Sequence, residues 1–516
     1  MAYKPDNEGG LAKAAGQFLM STWWLQAMLL AFLAYLIVNQ MRYHQRTPAN
    51  VVTVGFPAVQ LPFISSWVAA IRFMINPLES VREGIANSKN GLVRIATFQG
   101  EFILVTDRHK VAEYIKAPDT ILNAQDGSND QQQIPFTMGY GVGHRTYHTA
   151  VVRGPITQNI VPKTPMILDE ASRAFDDLIG SPVEETPIAL YSVIAMTVAR
   201  MANRIYVGTE LCRNEEFLRN ATDYAEAVVI SAEVLRIFPE WMKSFVVQLL
   251  PVTSYRRQGR RLLAPLIQDR LDGKLDANGE KPEDLIQWLV DAAPPIEKTI
   301  PQLAERVMAL NVASIHTTTM TFTAALYSLA AEPTKYIPAL REEVIANLEQ
   351  GEITAATVSK LPKVESFLRE SGRFNSLGLM AMQRNARKEF RFSDGIVIPP
   401  GAKLGSPSLF LHRDPSVHDD PEVFDGLRFY QPQESPGART KPKTMLNTDV
   451  NFHLFGHGRH PCPGRYLAVH EMKLMFAMLL LRYNIRLAPG TEPQPFYLGT
   501  MSLPDTKLQV LFEARK

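Results

Sequence analysis

The segment Phe455-Gly456-His457-Gly458-Arg459-His460-Pro461-Cys462-Pro463-Gly464 stands immediately before an apolar stretch, Tyr466–Tyr483, that reads as a helix. Three glycines and two prolines tie the backbone into a tight loop, and the Cys462 thiol is delivered close to a helix N-terminus. That position favours thiolate. The helix end contributes at most about 2 kcal/mol, which only partly ionises a thiol of pKa ~8.5. A bound metal would complete the ionisation.

Three readings of this loop stand side by side. It is an inert turn, a zinc site drawing on His453, His457 and His460 with Cys462, or a thiolate presented to a haem iron. The prolines and glycines present one cysteine alone rather than four converging ligands, which favours the last. The chain has only two cysteines, Cys212 and Cys462, too far apart in sequence for a disulfide framework. The bulk of it therefore suits a reducing compartment. A formal net charge of +2 argues against a nucleic-acid partner. With 46% hydrophobic and 21% charged residues, wholesale disorder is excluded.

At the other end, residues 18–38 (FLMSTWWLQAMLLAFLAYLIV) carry no charge. As a helix they would extend roughly 31 Å, matching a hydrocarbon core of about 30 Å. Trp23, Trp24 and Tyr35 lie near the ends, where such rings favour the interface. The exit offers no small-residue cleavage site, so the run reads as a single-pass membrane anchor and not a signal peptide. Lys4 and Lys13 precede it and Arg42 and Arg46 follow it, so basic residues give no orientation. Pro48, Pro57 and Pro62 stiffen the exit. The chain thus divides into a short tail (1–17), the anchor (18–38), a proline-containing hinge (39–62) and one large body (63–516).

Within the body, Leu92–Asp107 alternates and reads as a hairpin turning at Gln99-Gly100, and Phe390–Ile398 as a second one turning at Asp394-Gly395. Leu303–Ala330, bounded by Pro301 and Pro333, is a long helix with little charge after Arg306 and belongs in the interior. Val364–Arg373 is a further helix. Asn123–Gln133 reads as a polar, mobile loop, and Gln431–Lys443 as a proline-rich one. With no internal repeat and no convincing interdomain linker, the expectation is a single, mainly α body with small β-sheets.

Four stretches now carry a resemblance. Phe455, Gly458, Cys462 and Gly464 fit F-x-x-G-x-x-x-C-x-G; Glu370-Ser371-Gly372-Arg373 fits E-x-x-R; Pro421 to Phe429, with Phe424 and Arg428, fits P-x-x-F-x-x-x-R-F; and Ala313-Ser314-Ile315-His316-Thr317-Thr318 fits an oxygen-binding helix turn. In this order they resemble the cytochrome P450 family, and the resemblance covers essentially the whole chain. It implies the haem-thiolate fold of that family, haem b as cofactor and Cys462 as its axial ligand, the arrangement in which the thiolate's electron density favours O–O cleavage. It implies Thr317 over the iron, stabilising bound dioxygen.

The remaining site residues follow from the same resemblance. Glu370 and Arg373 share a helix face, and Arg428 would join them in a buried structural triad that supports the haem pocket; a solvated surface pair is the plain alternative. Arg153, in Tyr147-His148-Thr149-Ala150-Val151-Val152-Arg153, is the candidate for one haem propionate, although the family's tryptophan partner is missing. His460, or Arg459 beside it, is the candidate for the other. His316 stands where the family usually has an acid that helps deliver protons, and histidine can relay a proton near neutral pH; packing or a carbonyl bond is the alternative. Ser314 replaces a common glycine. Threonines 317, 318, 319, 321 and 323 are weak helix formers inside a long helix, a local inconsistency of the kind found at functional places, unless their hydroxyls simply bond back to the preceding turn.

The combination Gly-Arg-His-x-Cys-Pro-Gly-Arg with Ala-Ser-Ile-His-Thr-Thr is similar to fungal secondary-metabolism members such as ent-kaurene and indole-diterpene oxidases. That implies a monooxygenase acting on an apolar polycyclic terpenoid or meroterpenoid, fed by a separate NADPH–cytochrome P450 reductase, on the cytosolic side of the endoplasmic reticulum. Ile134–Gly143, Val307–Ala313, Leu377–Met382 and Leu498–Leu503 match the family's substrate-contacting segments in position. Two rivals differ in kind: a reductase-independent isomerase or dehydratase of the same fold, and a non-catalytic haem- or zinc-binding membrane protein.

Overall fold

In the computed structural model, Val52–Val54 (β1), Leu92–Thr97 (β2) and Gly100–Val105 (β3) open a six-stranded sheet. Leu122–Asn123 (β4), Ala381–Ala386 (β5) and Lys403–Ser406 (β6) complete it in the order β1-β2-β3-β6-β5-β4. The described residues are 51–55, 64–97, 100–431 and 443–515, with 30, 33, 34 and 38 of the N-terminal run. The anchor as a unit, Phe98, Gln99 and most of the Gln431–Lys443 loop lie outside them, as does the hinge apart from residues 51–55, which carry β1 and so belong to the sheet of the body. Among the described residues no helix is long and apolar enough to cross a membrane.

β2 and β3 pair antiparallel from Leu92↔Val105 to Thr97↔Gly100, so the expected hairpin is present, but Gly100 is the first residue of β3 and not part of the turn. Every residue of β3 is buried, because both faces of the sheet are covered. Leu92, Ile103, Val105 and Leu404 pack on one face; Val93, Ile95, Phe102 and Leu104 pack on the other. Phe390–Arg391 and Val397–Ile398 form the second hairpin, and its Gly395 takes the left-handed conformation (φ 89°) that the turn requires.

The first helix to note corrects an expectation. Asn123–Gln133 is not a loop: Ala124–Gln132 (α1) is helical, with the Asn123 side chain accepting the Asp126 N–H at 2.7 Å as its N-cap. Gln133 ends the helix in a left-handed conformation (φ 49°). Polar composition hid it, since α1 packs against β5 mainly through backbone and Gly127, whose Cβ position lies 3.0 Å from the Gln383 backbone.

Leu190–Tyr206 (α2), Glu215–Ile237 (α3), Ile300–Ala331 (α4), Pro362–Phe374 (α5) and Arg465–Arg482 (α6) share the largest apolar core, which runs from Ile134 to Phe512. α4 passes through its middle, packed on α2, α3 and α5. Both its predicted bounds and those of α5 and α6 agree with the structure within a few residues, Pro301 and Pro362 standing in first turns where no N–H is needed. A three-stranded sheet of Tyr483–Leu487, Gln509–Ala514 and Thr186–Ala189 closes the end of α6.

Candidate active site

The cysteine loop closes on itself: the Cys462 N–H donates to the Phe455 carbonyl at 2.7 Å, and Gly456 N–H to His453 at 2.8 Å. Gly458 has φ 79° and a Cβ there would stand 3.3 Å from Ile115, so only glycine fits. Gly464 has no such constraint; it begins α6 with ordinary φ. Cys462 is solvent-accessible, yet deep enough that burial pushes its thiol up. The backbone of Gly464 and Arg465 and the charges of Arg465 and Arg153 pull it back only in part. A thiol in this setting stays protonated until a metal takes its place.

Across the interior, α4 is buried through most of its length, but Ala313 and Thr317 are exposed. They stand one turn apart on one face, and that face is left uncovered by protein. The Thr317 hydroxyl donates to the Ala313 carbonyl at 2.7 Å, with Thr319 and Thr321 back-bonded in the same way. Ser314 lies on the flank of the helix and faces the buried Tyr206 phenol, which also stands near Cys462 and Glu471.

A group of cations gathers beside the thiol. Arg153 is exposed on a π turn, Val152–Ile156, and stands close to both Cys462 and His460. His460 Nε2 pairs with Asp119 at 3.0 Å, whereas Arg459 is simply exposed. The other histidines go their own ways. His453 is fully buried against Ser406 (3.2 Å) and His412, and His457 bonds Thr448 at 3.1 Å. Among the described residues no three histidine, cysteine or acidic side chains converge to hold a metal ion. The zinc reading of the loop therefore has no ligand set.

The comparisons with known proteins agree with this geometry. The family model described as Cytochrome P450 matches residues 142–512. The chain belongs to the cytochrome P450 family. It is 31% identical to cytochrome P450 monooxygenase 151 of Postia placenta, over 87% of this chain and 92% of that one. It is 30% identical to cytochrome P450 monooxygenase olcJ of Penicillium canescens, over 87% and 86%. It is 29% identical to the ent-kaurene oxidase of Gibberella intermedia, over 96% and 94%. The crystal structure of the cytochrome P450DA heme domain superposes with a TM-score of 0.69 at 16% identity, over 91% of this chain and 99% of that one, which shows the shared fold.

As a P450, the chain is a haem enzyme with Cys462 as the thiolate ligand, and the residues present fit that group. An accessible thiol faces the same side as guanidinium and imidazole groups suited to two carboxylates. One of them escapes a reading of the sequence. Arg384 is 4% exposed and its Nη2 has no protein partner; it lies near Tyr114, Asp119 and His460. An orphaned buried guanidinium nitrogen beside His460 is what a propionate would satisfy. The signal was present in AMQRNA, where strict alternation puts an arginine on the inward face. A bulge between Ala381 and Arg384, with Met382 at φ 52°, re-aims the strand here.

The triad assembles as a unit behind the pocket. Arg373 meets Glu370 through two bonds of 2.6 and 2.7 Å, and Arg428 Nε adds a third at 3.1 Å. Their other N–H groups donate to the carbonyls of Pro421 (2.8 Å), Asp419 (2.6 Å) and Val423 (2.9 Å). Glu370 and Arg373 are fully buried, so the surface-pair alternative is excluded.

Two of the four proposed substrate segments, Leu377–Met382 and Leu498–Leu503, are paired to each other, Leu379 N–H donating to Thr500 at 2.9 Å. They line cavities of about 290 Å³ (with Met320, Ala324 and Ser502) and about 170 Å³ (with Met380, Leu454 and Met501). Ile134–Gly143 is instead pinned to the start of α4. Buried Arg306 donates to the carbonyls of Gly141 and Arg145 at 3.1 Å each, pairs with Glu297 and stacks under Tyr147 at 4.3 Å. Nothing in the sequence pattern linked Glu297 to Arg306.

The buried histidines set an acid limit. Burial holds His453 down to about 4, against ~6.5 in an unfolded chain. Between these values the unfolded state binds more protons, so stability falls as pH drops from about 6.5 towards 4, by about 3 kcal/mol for this residue alone. Urea midpoints measured at pH 7 and pH 4.5 should fall accordingly, and His453→Asn should flatten that slope by close to one proton.

Proposed function

We propose that this P450 monooxygenase hydroxylates, in one or more steps, an apolar polycyclic secondary metabolite of terpenoid or meroterpenoid type. The observation that carries the chemistry is the pairing of an accessible Cys462 with an accessible Ala313–Thr317 face on an otherwise buried helix. The likeness to an ent-kaurene oxidase over 96% of the chain supports the substrate class, as do the cavities beside Met320, Leu377, Met380 and Met501.

Haem held by Cys462 supplies dioxygen activation and transfer of one oxygen atom to a carbon–hydrogen bond. The chain's own residues do the rest. Arg153, Arg384 and His460 would hold the propionates through charge-assisted bonds of about 1.5–3 kcal/mol each. Thr317 spends its hydroxyl hydrogen on the Ala313 carbonyl, so its Oγ1 would offer a lone pair, and not a hydrogen, to whatever is bound beside it. Glu370, Arg373 and Arg428 keep the cysteine side of the pocket in shape. Residues 18–38 anchor the body to the endoplasmic reticulum membrane, with the catalytic part in the cytosol, and electrons arrive from a separate NADPH–cytochrome P450 reductase.

The test is expression of the full chain with such a reductase in microsomes, a reduced carbon monoxide spectrum, and a panel of di- and sesquiterpenoids. We expect a thiolate-type band and NADPH-dependent oxidation of at least one terpenoid. Turnover without NADPH would overturn the monooxygenase reading, and oxidation of polyketides alone would overturn the substrate class.

A further inference from the structure

His316 precedes Thr317 on α4, but its ring is turned away from the accessible face, towards α2 and α3. Its Nε2 lies 3.2 Å from the Thr222 carbonyl on α3. Its Nδ1 lies 3.2 Å from the Tyr191 hydroxyl at the start of α2. A carbonyl only accepts, so Nε2 must carry the hydrogen. In the neutral ring Nδ1 then holds the lone pair, and the phenol is the donor to it. Both ring nitrogens are engaged, and neither by a group that takes part in proton traffic at neutral pH. The Thr222 carbonyl cannot receive a proton, and burial pushes the Tyr191 phenol up to about 12. Thr222's own hydroxyl is committed to Leu218 at 3.0 Å. The titratable groups facing this pair are Glu226 on α3, exposed beside Tyr191, and Tyr327 further along α4.

We infer that His316 is a positioning residue: a hydrogen-bonded strut, anchored by Tyr191, that ties the Thr317 turn of α4 to α2 and α3 and hands on no proton. Where a relay needs a side chain that gives and regains a proton towards the pocket, this one spends its donor on one helix and its acceptor on another. Its effect is on where Thr317 stands and on how firmly α3 is held over α4. The inference rests on the monooxygenase reading above for its consequence, though not for its geometry.

The discriminating substitution is His316→Gln, compared with His316→Ala and Tyr191→Phe in the full-length protein. A glutamine amide offers one donor and one acceptor from the same side chain and cannot titrate. Two readouts are needed: amide hydrogen exchange over residues 313–320 and 218–226, and product formed per NADPH consumed. We expect exchange to rise about fivefold in His316→Ala and Tyr191→Phe, the factor one neutral hydrogen bond represents. Coupling should fall in both, and His316→Gln should restore both readouts towards wild type. A His316→Gln protein with normal exchange but uncoupled turnover would overturn the inference in favour of proton relay. Unchanged exchange in Tyr191→Phe would overturn the strut itself. If the wild type consumes no NADPH, the monooxygenase reading fails, and the exchange data still decide whether the strut exists.

Discussion

Cys462→Ser is expected to remove the thiolate-type band from the reduced carbon monoxide spectrum and to bring turnover to background. Serine keeps the size and the N–H bond to Phe455, so the loop has no reason to unfold. What is lost is the atom. A hydroxyl in a site where burial already pushes the softer thiol up has far less tendency to ionise, and it donates much less electron density to an iron. Cys212→Ser supplies the control. That thiol is fully buried, bonds the Thr209 carbonyl at 3.3 Å and lies among Glu170, Arg204 and Arg213, none of them a site residue, so its replacement should cost some stability and leave the spectrum unchanged. Equal loss of the band in both variants would contradict the assignment.

Glu370→Ala carries the second-largest effect. Removing the carboxylate leaves fully buried Arg373 and largely buried Arg428 facing each other with no counter-charge, and breaking a buried pair in this way costs about 3–5 kcal/mol. The Asp425 N–H, which donates to Glu370 at 3.0 Å, is orphaned as well. Urea unfolding should show the loss directly, and haem retention after gel filtration should fall with it. Glu370→Gln keeps the shape and one acceptor and should fall between the two. An alanine variant within 1 kcal/mol of wild type would mean that the carbonyls of Asp419, Pro421 and Val423 hold the arginines unaided.

Why some of this was legible in the sequence and some was not comes down to separation along the chain. The cysteine loop, the long α4 and the Glu370–Arg373 pair are each defined within a few residues, where turn chemistry, periodicity and i,i+3 spacing act. Arg428 could be added only through the resemblance. The pairing of Asp119 with His460, of Arg145 with Glu297, and of β3 with β6 joins residues separated by 152 to 341 positions, and no local pattern carries that information. α1 was missed for a different reason. Its nine residues contain almost no apolar side chain, so periodicity is silent, while its one local signal, Asn123 capping Asp126, resembles the start of a turn. His316 shows the limit of the family comparison itself. Position suggested a proton carrier, and only the carbonyl of Thr222, ninety-four residues away, reveals how the ring is used.

The π turn at Val152–Ile156 has a consequence for counting. A π turn holds about one residue more than the α turn it replaces, and in an α-helix each residue advances the rotation by about 100°. The apolar stripe of Tyr147–Val151 and that of Thr157–Leu178 are therefore out of phase by one position, and Arg153 sits at the join. Deleting a single residue from Val152–Ile156 would heal the helix and preserve every motif in the chain. It would also swing the arginine a quarter-turn or more away from His460 and Cys462. Single-residue insertions and deletions at this join therefore act as a steering control on one cation, and they should be read that way when P450 chains of slightly different spacing are compared.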